Sequence, residues 1–172
     1  MITILVAMDK KRAIGKNNSI PWKLASDLRA FSRRTKDGVV IMGRKTWESL
    51  PAQFRPLPER TNIVITSQKN YYAPGAFITD NLEHVLNTIG LIEEQNVFVI
   101  GGAQIYEHAI THPYVDKLII SHVDTIIDAP DAFFPAFDQT WKQIGTPVII
   151  REEHDEYSYV EKTYIRQTEI KD

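Results

Sequence analysis

Six consecutive residues near the start of the chain, Ile2-Thr3-Ile4-Leu5-Val6-Ala7, are nearly all apolar and mostly β-branched, with no alternation of polar and apolar positions. Alternation is what a strand with one wet face requires, so an unbroken run suits a strand buried on both faces. Such a strand needs helices above and below its sheet, and this feature alone favours a largely parallel α/β architecture. Later segments agree. Residues 39–42 and 97–100 are apolar runs, 61–66 is β-branched, and 117–123 reads as another strand. A helix is expected from just after Pro21 and Trp22 to about Thr35, and a second starts near Thr46. Leu82, Val85, Leu86 and Ile89 fall at i, i+3, i+4 and i+7 behind Asn81 as N-cap, with Gly90 as the stop. Ile105, Tyr106 and Ala109 mark a helix closed by Pro113, and 148–153 with 157–168, joined around His154 and Asp155, read as an antiparallel hairpin. The expected fold is an α/β single domain over 1–172: an open, mostly parallel twisted sheet with helices on both faces and an antiparallel C-terminal hairpin.

Composition narrows the function classes. Lys and Arg total 20 against 22 Asp and Glu, a net charge of −2, so no global basic surface exists for a nucleic acid or an anionic membrane; any anion site must be local. The absence of cysteine removes disulfide scaffolds, thiolate zinc sites and thiol nucleophiles, and it suits a reducing compartment, with the cytoplasm expected. The apolar stretch 2–8 is too short to span a bilayer and has no basic segment before it, so it reads as a strand rather than a signal peptide. His108 and His112 are spaced i, i+4, but no Glu follows His108 as a zincin needs, and no G-x-S-x-G elbow supports a serine triad. Lys10, Lys11 and Arg12 open a polar, aperiodic loop over 9–20 and read as solvated charges. Trp141, Tyr157, Tyr159 and Tyr164 read as sheet packing.

Two features carry chemistry. Leu24, Asp27, Leu28 and Phe31 share one helical face, which sets a carboxylate in an apolar stripe. A shielded carboxylate is costly to ionise alone, so it acquires a raised pKa or a cationic partner, as catalytic acids and sites for cationic rings do. The plainer alternative is a first-turn Asp stabilised by the helix N-terminus. The second feature is a set of turns at strand ends: Met42-Gly43-Arg44-Lys45-Thr46, Thr66-Ser67-Gln68 and Ile100-Gly101-Gly102-Ala103-Gln104. In open α/β sheets the ligand crevice lies beyond the carboxyl ends of the strands. Cations and hydroxyls there suggest a nucleotide with several phosphates, and Arg44 with Thr66 and Ser67 suits the ribose phosphate of NADP. Neither G-x-G-x-x-G nor a Walker A sequence is present, which disfavours a conventional Rossmann dehydrogenase or a P-loop enzyme.

Taken in order along the chain, Ala7, Ile14-Gly15, Pro21-Trp22, Asp27-Leu28 with Phe31, Val40-Ile41-Met42-Gly43-Arg44, Thr46-Trp47-Glu48-Ser49, Arg55-Pro56-Leu57-Pro58-Glu59-Arg60, Ile100-Gly101-Gly102 and Tyr106 resemble bacterial dihydrofolate reductases over essentially the whole length. The resemblance implies reduction of 7,8-dihydrofolate to tetrahydrofolate with NADPH, a step that feeds one-carbon, thymidylate and purine metabolism, in an enzyme that antifolates inhibit. It implies catalytic roles for Asp27, Trp22 and Ser121, with Asp27 accepting hydrogen bonds from the pterin and Ser121 supporting that carboxylate and a water. Leu5, Leu28, Phe31, Leu57, Ile100 and Tyr106 would line the substrate pocket, and Arg60 would pair with the glutamate α-carboxylate. For the cofactor, Ala7, Ile14 and Gly15 would contact nicotinamide, Arg44, Thr66 and Ser67 would hold the 2′-phosphate, and Asn18, Ser19, Ile20 and Gln68 would be further cofactor contacts. Gly43, Lys45, Thr46 and the 101–105 segment (Gly101, Gly102, Ala103, Gln104, Ile105) would meet the pyrophosphate, with a cis peptide joining Gly101 to Gly102. The 9–20 loop would be a mobile lid, no metal is implied, and a monomer is the expectation. Ile20, Ala103 and Gln104 depart from residues common in the family. Two other functions fit the same motifs less completely: a riboflavin-pathway ribosylaminopyrimidine reductase of the same fold, and a nucleotide-binding homologue without catalysis.

Overall fold

A computed structural model describes residues 1–92 and 94–167. Its elements in chain order are β1 Ile2–Met8, β2 Ala13–Gly15, α1 Ala25–Thr35, β3 Val39–Gly43, α2 Arg44–Ser49, β4 Thr61–Ile65, β5 Ala76–Thr79, α3 Leu82–Gly90, β6 Val97–Val99, α4 Ala103–Ala109, β7 Val115–Val123, β8 Ala132–Phe133, β9 Trp141–Ile150 and β10 Tyr159–Arg166. Eight strands form one sheet in the order β5-β4-β3-β6-β1-β7-β10-β9, parallel from β5 through β7 and antiparallel at β10 and β9. This is the mixed, open sheet expected from the strand pattern. β2 and β8 form a separate antiparallel ribbon.

Both faces of the sheet are covered, as the unbroken apolar runs require. Val39 and Ile41 of β3 join Ile2 and Ile4 of β1 in one core cluster, whereas Val40 and Met42 join Leu5 and Val64 in another on the opposite face. The period of two along a strand sends alternate side chains to opposite layers, and here both layers are apolar. Each such fully buried Ile, Val or Leu contributes about 1.5–3 kcal/mol of transfer free energy.

The structure corrects several boundaries. α1 begins at Ala25, and Pro21 to Leu24 form an irregular lead-in, while α2 starts at Arg44, directly on the end of β3. The first arm of the hairpin is β9, much longer than 148–153; its side chains are mostly exposed at the sheet edge, so no burial pattern marks it in the sequence. The second arm ends at Arg166, and the expected limit at Thr168 lies outside the described residues. Three short strands were not expected: β2 within the 9–20 loop, β5 and β8.

α1 has an unusual start. Its N-cap residue, Leu24, cannot supply a side-chain cap. Asp155, from the β9–β10 connection, does so instead: Oδ1 accepts the Ser26 backbone N–H at 2.9 Å, and Oδ2 accepts the Ser26 hydroxyl at 2.6 Å and the Glu152 N–H at 2.8 Å. Despite the burial, which pushes the Asp155 pKa up, these hydrogen bonds hold it below the usual carboxylate value. Among the described residues no helix is long and apolar enough to cross a membrane.

Candidate active site

A cleft of about 1790 Å³ runs across the carboxyl ends of β1, β3, β4 and β6. That volume exceeds the roughly 300–1,000 Å³ of a single small-ligand site and leaves room for two molecules side by side. One end is closed by α1 and β7. There the Ser121 hydroxyl donates to Asp27 Oδ1 at 2.6 Å, and Leu5, Leu28, Phe31 and Ile100 complete the wall. Burial pushes the Asp27 pKa above its ordinary value; the Ser121 hydrogen bond opposes this, Glu161 adds to it, Arg34 opposes it, and Asp155 adds to it. Asp27 is therefore not a solvated first-turn acid. The apolar stripe around it also has a different destination from a core-facing one: Leu24 is buried beneath, but Leu28 is 58% exposed and faces open cleft. Tyr106 underpins this end, donating its hydroxyl to the Leu5 carbonyl at 2.7 Å, and burial with the nearby Asp27 charge raises its pKa so that it stays protonated.

The other end consists of the three glycine- and hydroxyl-bearing turns, brought side by side by the sheet order. The Gly43 N–H donates to the Gly101 carbonyl at 2.8 Å, which ties the β3 and β6 turns together. The Gly101–Gly102 peptide is cis. Gly101 has φ +120°, a conformation closed to residues with a Cβ, and a Cβ on Gly43 would come within 3.1 Å of Ile105 Cγ1. Arg44, Lys45, Thr46, Thr66, Ser67 and Gln68 line the cleft around this backbone. Arg44 Nη1 donates to both Glu48 carboxylate oxygens, at 3.1 and 2.9 Å, and the Tyr71 hydroxyl donates to Glu48 at 3.1 Å. Arg44 Nε and Nη2 are left without hydrogen bonds among the described residues, and these are the donors that a phosphate could take.

The 9–20 segment borders the cleft through Ile14, Gly15, Asn18, Ser19 and Ile20. It is tethered to the 124–134 segment: the Asp9 carboxylate accepts the Lys11, Ala13 and Ile127 N–H groups, each at 2.8 Å, and Asp131 accepts the Asn17 N–H at 2.8 Å.

Of the residues singled out in the sequence, three stand off the cleft wall. Trp22 is buried in a small cluster with Leu24, Val123 and Tyr159; Leu57 is buried and bonded through its N–H to Asn62; Arg60 is folded onto Ser32, Thr35 and the Pro58 carbonyl. Ala7, Ala103 and Gln104 do line it, with the remaining substrate- and cofactor-facing positions. Sequence reading missed Arg34, Glu48, Asp131 and Ala132 on the wall. Arg34 carried a signal, since it lies seven residues from Asp27 and so on the same helical face. Asp131 and Ala132 carried none, because they lie far along the chain and reach the cleft through the pairing of β8 with β2.

Such a cleft, with cation- and hydroxyl-bearing turns at one end and a shielded carboxylate at the other, is that of an α/β protein of the nucleotide-binding class, with room for a second small molecule beside a nucleotide. Comparison with known proteins takes this further. The family model for dihydrofolate reductase matches residues 1–166. The dihydrofolate reductase of Bacillus subtilis is 39% identical over 160 residues, spanning 92% of this chain and 90% of that protein, and that of Neisseria meningitidis is 44% identical over 143 residues, spanning 83% and 84%. A solved dihydrofolate reductase from Enterococcus faecalis, complexed with NADP(H) and RAB-propyl, superposes with a TM-score of 0.86 at 30% identity, covering 98% of this chain and 97% of that one. The chain belongs to the dihydrofolate reductase family.

Proposed function

We infer that this protein reduces 7,8-dihydrofolate to 5,6,7,8-tetrahydrofolate with NADPH. Family membership supports the reaction and sets aside the riboflavin-pathway alternative. The observation that carries the reading within this chain is the Asp27–Ser121 pair at the closed end of the cleft.

At that end Asp27 accepts hydrogen bonds from N3 and the 2-amino group of the pterin, and its charge favours a proton at N5, which makes C6 the better hydride acceptor. Ser121 holds the carboxylate by donating to Oδ1, which leaves Oδ2 and the remaining lone pairs for the ring. Leu5, Leu28, Phe31 and Ile100 pack the ring and the benzoyl group and exclude water. Trp22, behind the wall, supports the α1 lead-in; Leu57 and Arg60 sit beyond the benzoyl end, where Arg60 meets the glutamate α-carboxylate once its guanidinium turns toward the cleft.

The residues at the other end fit NADPH. Gly43, Gly101 and Gly102 form a cradle that a Cβ would fill, and cations and hydroxyls surround it. Arg44, Thr66, Ser67 and Gln68 hold the 2′-phosphate; Lys45 and Thr46, with backbone of 101–105, hold the pyrophosphate; Ala7, Ile14 and Gly15 with the 18–20 segment enclose the nicotinamide. When bound, NADPH supplies the hydride. The 9–20 segment closes the site against water. We place the activity in a single domain over 1–172, acting as a cytoplasmic monomer that antifolates inhibit.

The deciding experiment is dihydrofolate-dependent loss of NADPH absorbance for wild type and Asp27→Asn across pH. Wild-type turnover that falls about 10²-fold or more in Asp27→Asn at neutral pH, and partly returns at low pH where substrate arrives protonated, supports the assignment. Equal rates would remove Asp27 from the mechanism, and NADPH binding without wild-type turnover would leave a nucleotide-binding homologue.

A further inference from the structure

One step behind the Asp27–Ser121 pair stands a second bridge between α1 and the sheet. Glu161 on β10 is the antiparallel partner of Ser121 on β7, and residues directly opposite in a ladder project to the same face, so both reach toward α1. Arg34 lies two turns along α1 from Asp27, on the same side of the helix. Its guanidinium forks onto Glu161, Nη2 to Oε1 at 2.8 Å and Nη1 to Oε2 at 3.1 Å, and the two side chains are only 33% and 21% exposed. Arg34 also lines the cleft.

Two carboxylates in one shielded site cannot both ionise cheaply. We propose that Arg34 and Glu161 are positioning residues for the charge of Asp27: Arg34 cancels Glu161, so that Asp27 stands as the one uncompensated anion at the ring-binding end. The proposal rests on the reading of Asp27 as the ring-facing carboxylate. The other groups facing Asp27 leave this role open. Asp155, on the β9–β10 connection, stays an anion on the Ser26 and Glu152 donors and adds a smaller upward push on Asp27, but it caps α1 and does not line the cleft; Tyr106 on α4 and Tyr159 on β10 have raised pKa values and are neutral. The directions of influence agree with the geometry, with Glu161 pushing the Asp27 pKa up and Arg34 pulling it down. A bridge that served only to fasten α1 to the sheet would give no opposite response to loss of its two ends.

The test is the titration midpoint of the Asp27 side chain, read by carbon NMR on the full, ligand-free chain with labelled aspartate and assigned by comparison with Asp27→Asn. Arg34→Met raises the midpoint and Glu161→Gln lowers it, each by about half a pH unit or more, and the double variant returns close to wild type. Arg34→Lys, which keeps the charge and tolerates loss of the fork, stays near wild type. Midpoints that do not move, or that move the same way in both single variants, overturn the proposal; if Arg34→Met does not fold, an unchanged midpoint in Glu161→Gln does so alone. The measurement needs no substrate, so it is separable from the reading beneath it. Opposite shifts in a protein that fails to turn over dihydrofolate would sink the enzymatic assignment and leave the charge pairing, whereas normal turnover with fixed midpoints would sink the pairing.

Discussion

The two ends of the cleft are assembled by different means. At the cofactor end the side chains come from short turns, and Arg44 finds its partner four residues away in Glu48. At the closed end the contacts join distant parts of the chain: Asp27 to Ser121 across 94 residues, Arg34 to Glu161 across 127, and Ser26 to Asp155 across 129. Anion binding by turns needs only the right residues at strand ends, while a shielded, correctly charged carboxylate needs the whole sheet in place. The ring end should therefore trade stability for function, and the cofactor end should lose affinity without losing fold.

The sharpest way to break this contrast is Asp27→Asn. Beyond its loss of turnover, it should melt higher than wild type at neutral pH. The folded-state pKa of Asp27 is raised by burial, so ionised Asp27 opposes folding above that pKa, and the penalty fades as pH falls toward the unfolded value near 4. Thermal melts at pH 7 and pH 4 check the sign; a lower Tm at pH 7 would mean that the carboxylate stabilises the fold.

Arg44→Ala probes the opposite end. The KM for NADPH should rise about tenfold to a hundredfold with kcat within about twofold, since a charge-assisted contact to phosphate is lost while the ring end is untouched. NADH, which has no 2′-phosphate, should be nearly indifferent, and an equal effect on both cofactors would take Arg44 away from that phosphate.

Asp155→Ala removes three hydrogen bonds from a buried site and should cost about 2–3 kcal/mol in denaturant unfolding. With a depressed folded-state pKa, Asp155 contributes in full above about pH 4 and loses that contribution as pH falls through the folded value. The variant's deficit should accordingly shrink in acid; a constant deficit would point to packing alone. The smallest effect is expected from Glu48→Gln, which breaks an i, i+4 pair on α2 near the surface and should change stability by no more than about 0.5 kcal/mol.

What could be read from the sequence follows the same division. The two-sided runs in β1 and β3 announced a covered, mostly parallel sheet, and the three turns announced their end of the cleft residue by residue. The shielded carboxylate was visible through its place in an apolar stripe, but spacing alone could not say that the stripe faces a cavity, because helical periodicity reports which residues share a face and not what that face meets. The part of β9 before Val148 escaped for a related reason: an exposed edge strand carries no burial signature. Trp22, Leu57 and Arg60 came from family resemblance rather than from any local physical signal, and they are the positions that stand behind or beside the wall.

The cap on α1 has a consequence for how the chain comes off the ribosome. A growing polypeptide that has emerged only through β7 already holds every strand that frames the cofactor turns, together with both Asp27 and Ser121. It still lacks Asp155, the group that finishes the helix bearing Asp27. Vectorial synthesis thus supplies the group that completes the acidic ring site last, when the final hairpin docks.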